Sequence, residues 1–370
     1  MTDPDDLLPE GLEDSLPAEA ARLTAAMRGA LDVLDSHGYD RVRPPLVEFE
    51  RSLAGRMDGV SPRRMFRFVD PASLRTLALR SDMTPQVGRI AATGLARAPR
   101  PLRLSYAGEV VRISADQLDP ARQRLQLGAE LVGSDGPEAA GELVALAVEA
   151  LSAAGARGIS VDFTMPDLVD TLAASALPVR PDRIEAVRRE LDMKDAAALR
   201  EAGGEGYVPL LYAAGAFDDA IARVAALDGA GVLESRIAGL RQAAARVPAG
   251  VRCTLDPTER HGFEYQSWFG FTLYAAGSRG AVGRGGTYCI RGSEERATGF
   301  SLYLDALPDC GDVAAPRQTL FLPLGHDRDV AARLRAIGWR TVAALTEGED
   351  PRALGCTHRL EGAETVAVQP

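Results

Sequence analysis

The pattern of hydrophobic and polar positions divides the chain into helical and strand-like stretches. Hydrophobic residues recur every three or four positions in residues 17–37, and Gly38 stands where a helix with this stripe would end. The stretches "DMTPQVGRIAATGLA" and "GPEAAGELVALAVEALSAAG" keep the same period. We therefore predict a helix in each of these three places.

Shorter stretches alternate between hydrophobic and polar residues, as half-buried strands do. Strands are predicted at "YDRVRPPLVEFE", "MFRFVD", "TLALRSD", "GISVDF", "VRCTLDP", "FEYQSWFGFTLYAAG" and "GAVGRGGTYCI". By contrast, "TGFSLYLDAL" is predicted to be a helix that begins at its glycine. Near the end of the sequence, "RQTLFLPLG", "DRDVAARLRAIG" and "WRTVAAL" predict a β-α-β unit, and "ETVAVQ" predicts a weaker strand after it.

The middle of the chain changes character, because "PDRIEAVRREL", "AFDDAIARVAAL" and "VLESRIAGLRQAAARV" predict several short helices. Strands on both sides of a helical insertion favour an α+β fold, with an antiparallel sheet core flanked by helices. We predict a core whose first part is residues 1–165, a helical insertion at 166–249, the second part of the core at 250–312, and a short α/β domain at 313–370.

Two strands and a polar loop are predicted in "VVRISADQLDPARQRLQLGAELVGSD", residues 110–135. The second strand carries Gln126 and Glu130 in a hydrophobic run. Residues four apart in a strand face the same side, and Gly128 between them leaves room there. Together with Asp82 and Thr84, they offer polar groups for an ammonium group and a polar side chain. The alternative is a helix cap at Asp82 or Thr84 beside a buried hydrogen-bonded pair.

The first strand of this hairpin is predicted to end at Arg112, and the loop to hold Asp116, Asp119, Arg122 and Arg124. Arginine suits phosphate or carboxylate because its planar guanidinium makes two parallel hydrogen bonds. Taken alone, however, the arginines are better explained by a solvated loop.

The glycine-rich stretch "GRGGTY" is another candidate place for a ligand close to the backbone. A tight turn is its simpler interpretation.

Composition excludes several classes of function. The 370 residues carry a net charge of −10, which argues against a chain that coats nucleic acid. The only lysine is Lys194, in a polar helical stretch, which disfavours P-loop and Schiff-base chemistry. The four cysteines are scattered without metal-ligand spacing. We predict a reduced, cytoplasmic protein without cofactor, metal, nucleic-acid partner or membrane span; its acidic start is unlike a signal peptide.

Taken in order, these segments resemble the catalytic core of class II histidyl-tRNA synthetases over roughly residues 10–310. "GYDRVRPPLVEFE", with Pro45 and Glu48, matches the first class II motif, which lies at the dimer interface in that family. "LALRSDMT" resembles the segment that contacts the α-amino group of the amino acid. The hairpin resembles the second motif, "HGFEYQSWFGF" the histidine-specific signature, and "GGTY" with "TGFSLYLDAL" the third motif.

The resemblance implies a class II synthetase-like fold and a histidine-like pocket. The residues that it assigns to this pocket are Asp82, Thr84, Arg112, Gln126, Glu130 and Tyr265.

Several positions depart from the synthetase pattern. Ala306 stands where the third motif should end in the arginine that binds the γ-phosphate of ATP, Ser114 replaces a glutamate, and Arg124 replaces the phenylalanine that stacks on adenine. In the histidine signature, His261 falls at the position of an arginine and Gln266 at that of a tyrosine. Losing one transition-state donor costs on the order of a hundred- to a thousandfold in rate, so together these changes imply no adenylation and no catalytic residues.

A weakened ATP site and a short final domain resemble the regulatory subunits of ATP phosphoribosyltransferase. The resemblance implies a homodimer through the first motif, assembled with a short-form catalytic transferase that starts histidine biosynthesis, and regulated by L-histidine. Two alternatives stay open: an active ligase of the histidyl-tRNA synthetase type, and a stand-alone histidine-binding protein.

Overall fold

The computed structural model describes residues 7–55, 65–113, 120–260, 266–307 and 318–368. It divides into two compact units, Met1–Gly311 and Asp312–Pro370. The finer domain boundaries stay predictions. Within the described residues, the helices are α1 (Pro17–Ser36), α2 (Glu50–Ala54), α3 (Thr84–Ala92), α4 (Pro137–Ala153), α5 (Leu168–Ala173), α6 (Ile184–Asp192), α7 (Ala196–Glu201), α8 (Phe217–Leu227), α9 (Glu234–Ala244) and α10 (Arg328–Ala336).

The strands are short or of moderate length. In chain order they are β1 (Asp40–Arg41), β2 (Val47–Phe49), β3 (Arg67–Val69), β4 (Thr76–Leu79), β5 (Leu102–Val111), β6 (Gln123–Val132), β7 (Ser160–Thr164), β8 (Gly215–Ala216), β9 (Arg252–Leu255), β10 (Gln266–Tyr274), β11 (Gly283–Ile290), β12 (Glu295–Tyr303), β13 (Thr319–Leu322), β14 (Arg340–Ala343), β15 (His358–Glu361) and β16 (Glu364–Ala367). Two 3₁₀ helices cover Glu205–Tyr212 and Leu304–Ala306.

The first unit is built on a nine-stranded sheet in the order β1-β5-β6-β12-β11-β10-β7-β9-β8. Most neighbours are antiparallel, and the pairs β1/β5 and β7/β9 are parallel. The predicted α+β fold with a largely antiparallel core is confirmed. A small sheet, β2-β4-β3, accompanies it.

Helices cover both faces of the large sheet, and the alternation along β6 shows how. Leu127 and Ala129 belong to the main core, together with hydrophobic residues of α1 and α4. Val132 belongs to a second cluster, together with Met83 and Val87 at α3. Because the residues of a strand alternate between faces, Gln126 and Glu130 lie on the α3 side.

The predicted helix at "TGFSLYLDAL" is wrong, because this stretch forms most of β12 and the 3₁₀ helix after it. The strand lies between β6 and β11 and pairs with both along its length. Pairing on two sides satisfies backbone groups that a helix would have satisfied locally, so tertiary pairing overrides the local pattern.

The strand predicted at "GAVGRGGTYCI" is β11, so the tight turn offered for "GRGGTY" within it is wrong. Its glycines serve close packing between strands instead. A Cβ on Gly286 would lie 2.5 Å from the Phe269 carbonyl oxygen, a distance that real Cβ atoms essentially never show.

The second unit contains a four-stranded sheet in the order β14-β13-β15-β16. Strand β13, helix α10 and strand β14 form the predicted β-α-β unit, with β13 and β14 parallel. Strand β15 was not predicted. It pairs parallel with β13 and antiparallel with β16, which completes the sheet.

Candidate functional site

The residues predicted to form a pocket converge where strand β6 faces the start of α3. The Gln126 side chain links the two elements across more than forty residues of sequence. Its Oε1 accepts a hydrogen bond from the Met83 backbone N–H at 2.9 Å, and its Nε2 donates to Asp82 Oδ1 at 2.7 Å and to Ser301 Oγ at 2.7 Å. Asp82 in turn accepts from the Thr84 backbone N–H at 3.0 Å. The amide therefore holds the helix start, and Asp82 with it, against the sheet.

Glu130 is fully buried, and two tyrosine hydroxyls form hydrogen bonds with its carboxyl group. Tyr106 donates to Oε1 at 3.0 Å, and Tyr288 donates to Oε2 at 2.7 Å. The Tyr106 hydroxyl also lies 3.1 Å from Thr84 Oγ1. Burial raises the pKa of Glu130 to about 8, although hydrogen bonds from Tyr288 and Tyr106 oppose this shift.

Glycines make room for this buried carboxyl group and its partners. Gly299 lies opposite Glu130 in the pairing of β12 with β6, and a Cβ there would overlap the carboxylate. Gly128 lies beneath the Tyr106 hydroxyl, which a Cβ at this position would also overlap. The space that the sequence attributed to Gly128 is thus occupied by a tyrosine that reaches Glu130.

A narrow cleft opens beside these groups, with a free volume of about 10 Å³. The Gln266 side chain forms part of its wall, where its Nε2 donates to the Gly285 carbonyl oxygen at 2.8 Å. The cleft is lined by Thr84, Glu130, Gln266, Arg284, Gly285, Gly286, Tyr288, Gly299, Phe300 and Ser301.

The predicted arginines lie outside the cleft lining. Arg112 is exposed, its Nη2 donates to the Tyr303 hydroxyl at 3.3 Å, and its guanidinium lies 5.6 Å from the Tyr303 ring. Arg124 is buried, and its guanidinium carbon lies 5.2 Å from the centre of the same ring. Its Nε lies 2.5 Å from Asp305 Oδ2. Arg122 instead donates to the backbone carbonyl of Glu10 at 3.1 Å. Arg112 and Arg124 thus flank one tyrosine.

Five predicted residues lie outside the described residues, so nothing structural is assigned to them: Ser114, Asp116, Asp119, His261 and Tyr265.

Three members of the site were not predicted from the sequence: Arg284, Tyr106 and Tyr288. The two tyrosines occupy hydrophobic positions of alternating strands, so the pattern places them in the core without indicating what their hydroxyls contact. Arg284 lies in "GRGGTY", for which the sequence offered both a strand and a turn, and neither interpretation indicates what its side chain faces. Among the described residues, no group of three or more His, Cys, Asp or Glu side chains is arranged to hold a metal ion. Nor does any helix in the described ranges have the length and hydrophobicity needed to cross a membrane.

A wider cleft of about 360 Å³ lies in the second unit, between residues 323–327 and the β15–β16 hairpin. None of the predicted site residues lines it, and its polar side chains are His326 and Asp327. Asp327 already accepts hydrogen bonds from the backbone N–H groups of Asp329 and Val330, at 2.8 and 3.2 Å. The cleft around Glu130 therefore offers the richer chemistry.

Comparison with protein families and curated proteins gives long matches. A family model described as histidyl-tRNA synthetase matches residues 11–307. A protein of Rhodospirillum centenum, named ATP phosphoribosyltransferase regulatory subunit, is 40% identical over 373 residues, covering 98% of this chain and 96% of that protein. A protein of Paramagnetospirillum magneticum with the same name is 41% identical over 365 residues, covering 96% of each chain.

Solved structures show the same fold at lower sequence identity. A structure described as an ATP phosphoribosyltransferase regulatory subunit/histidyl-tRNA synthetase from Bacillus halodurans superposes with a TM-score of 0.80 at 24% identity, covering 96% of this chain and 97% of that one. Histidyl-tRNA synthetase from Nostoc gives a TM-score of 0.76 at 16% identity, covering 96% of this chain and 90% of that one. These likenesses establish the fold.

Proposed function

The chain belongs to the histidyl-tRNA synthetase family and, within it, to the ATP phosphoribosyltransferase regulatory subunits, and on this premise we propose that it is a non-catalytic regulatory subunit of that transferase. Its partner is a short-form catalytic subunit. Assembly of the two chains activates this catalytic subunit for the first step of histidine biosynthesis. The observation that carries this proposal is 40% identity over nearly the whole length of a relative with that name. L-Histidine regulates the complex.

Loss of ligase activity is supported by the contacts of Arg124. Its guanidinium is held by Asp305 and lies on the Tyr303 ring, so it fills space beside the 3₁₀ helix Leu304–Ala306. Asp305 is fixed in turn because it accepts from the Leu125 backbone N–H at 3.1 Å. The resemblance places an adenine-stacking phenylalanine at position 124 and a phosphate-binding arginine at 306. A paired arginine and an alanine supply neither function.

The amino-acid side of the site supports binding of histidine. Asp82 and Thr84 present a carboxylate and a hydroxyl at the start of α3, and Gln126 and Glu130 face the same place from β6. The Asp82 carboxylate and the Thr84 hydroxyl can accept from an ammonium group, and Glu130 can accept from a second N–H once it is ionised. Gln126 contributes by holding Asp82 in place, because its own oxygen already accepts from the Met83 backbone N–H. Arg112 and Tyr265 are assigned to the proposed pocket by the resemblance alone, and Arg112 does not line the small cleft.

A homodimer through the first motif is the second part of the proposal. Within one chain, Glu48 is the anchor of this segment. It pairs with Arg89 at 2.5 Å and accepts from Gln86 Nε2 at 2.9 Å, and the same amide nitrogen donates to the Pro45 carbonyl at 2.7 Å. These bonds fix the motif against α3, so a second chain packed on this segment would be connected to the candidate site.

Co-expression with the catalytic subunit of the same organism tests the proposal. We expect the two chains to co-purify, the mass of the complex to fit an even number of copies of this chain, and phosphoribosyl transfer to require both. Histidine-dependent ATP–pyrophosphate exchange by this chain should stay at the level of a control without histidine. Exchange above that level would favour the ligase instead. A transferase that is equally active alone, with no complex on a sizing column, would contradict the regulatory role.

A further inference from the structure

Arg284 brings a positive charge into the cleft that contains the Glu130 carboxyl group. It lies on β11 four residues before Tyr288, so the two side chains share one face of the strand. Tyr288 on this face donates to Glu130 Oε2 at 2.7 Å, and Arg284 lines the same cleft. The strand thus holds a cation at one end of the site and a donor to its carboxyl group at the other.

The Arg284 side chain has an unmet hydrogen-bonding group. Its Nε–H is buried and has no acceptor among the residues that the structure describes. The guanidinium charge does act on Glu259, where it lowers a pKa that burial and the nearby Asp162 raise. A buried donor without an acceptor is costly and rare, and an arginine fork is matched best by a carboxylate. The cleft therefore suits a ligand with an anionic group at this end.

The opposite end of the cleft has the reverse preference. Glu130 provides a carboxyl group there, and Thr84 adds a hydroxyl. Asp82 lies behind this lining, where it accepts a hydrogen bond from Gln126 Nε2 at 2.7 Å. These acceptors favour an ammonium group or an N–H donor. A ligand that binds at both ends of the cleft must carry an anionic and a cationic group in one small molecule, as a free amino acid does.

We propose that Arg284 determines the specificity of the pocket by binding the α-carboxylate of a free amino acid. The proposal rests on the histidine pocket proposed above and adds the residue that separates the amino acid from the corresponding amine. Gln266 is the second element, because its side chain lines the cleft and donates to the Gly285 carbonyl oxygen at 2.8 Å. Because the free volume is only about 10 Å³, we infer that the Gln266 side chain moves to make room for an amino acid.

Calorimetry on the full chain, with L-histidine and with histamine as probes, tests the role of Arg284. Histamine keeps the imidazole and the amine but lacks the carboxylate. We expect wild type to prefer L-histidine by about ten- to a hundredfold, the value of a charged hydrogen bond. Arg284→Gln should lose this preference and leave the histamine affinity unchanged. Arg284→Lys should retain part of it, because lysine keeps the charge without the fork.

Two further variants complete the design. Arg296→Gln removes an exposed arginine of β12 and should leave both affinities as in wild type. Gln266→Ala shortens a side chain that lines the cleft and should strengthen the binding of both probes by making room for them.

Three results would overturn the inference. The first is equal affinity for L-histidine in wild type and Arg284→Gln. The second is a folded Arg284→Gln that loses affinity for L-histidine and for histamine alike. The third is a wild type that does not bind L-histidine. Each leaves the regulatory role intact if the chain still activates the transferase. Loss of that activation would instead refute the proposed function.

Discussion

Replacing Glu130 by glutamine should make the first unit less sensitive to pH. The carboxyl group is fully buried, and burial raises its pKa from 4.5 to about 8. The folded protein therefore binds this proton more tightly than the unfolded chain does. The stabilisation is complete below pH 4.5 and is lost as the pH rises towards 8, because the unfolded chain gives up the proton first.

The size of the effect follows from the two pKa values. Between pH 5 and pH 7, the unfolded chain ionises Glu130 almost completely while the folded chain keeps it protonated. At about 1.4 kcal/mol per pKa unit, the contribution of this group to the free energy of unfolding falls by roughly 2 to 3 kcal/mol over this range. Glu130→Gln should abolish that decline, because glutamine does not titrate. Its amide keeps the shape of the side chain: the oxygen can accept from one of the two tyrosine hydroxyls, and the NH2 group can donate to the other.

Urea unfolding at pH 5, 6 and 7, followed by tryptophan fluorescence, measures this difference. The chain has two tryptophans, Trp268 in the first unit and Trp339 in the second. A Trp339→Phe background leaves Trp268 as the reporter of the unit that contains Glu130. Glu201→Gln, the same chemical change on an exposed helix end, is the control and should follow wild type. Equal pH dependence in wild type and Glu130→Gln would refute the assignment of a proton to Glu130 in the folded state.

Further predictions concern the same site. Affinity for L-histidine, measured by calorimetry, should rise with pH up to about 8 and then level off, because an ammonium ligand favours the ionised form of Glu130. Glu130→Gln should show no such rise, and a flat profile in wild type would contradict the prediction. Gly299→Ala should lower the melting temperature and weaken histidine binding, since its Cβ would overlap the Glu130 carboxylate, whereas Gly280→Ala, in open space, should change neither. Asp305→Ala should cost about 2 kcal/mol or more in urea unfolding, because it leaves the Arg124 guanidinium buried without its carboxylate; an unchanged stability would show that the ion pair contributes nothing.

The sequence by itself determined the local elements wherever one period dominates. Helices α1, α3 and α4 and the β-α-β unit at the end of the chain follow from hydrophobic spacing, because each buries one stripe or face that the spacing defines. The β5–β6 hairpin follows for the same reason, and strand alternation alone places Gln126 and Glu130 on one side.

Only the tertiary structure decided which partners these residues meet. "TGFSLYLDAL" is a strand because β6 and β11 offer it backbone partners on both sides, and no local pattern contains that information. The bond from Gln126 to Met83, the Glu130 carboxyl group between Tyr106 and Tyr288, and the entry of Arg284 into the cleft all join residues that are far apart in the chain. Spacing encodes which face a side chain takes within its own element. What lies opposite that face is set by strand order and register, which arise from the packing of the whole unit.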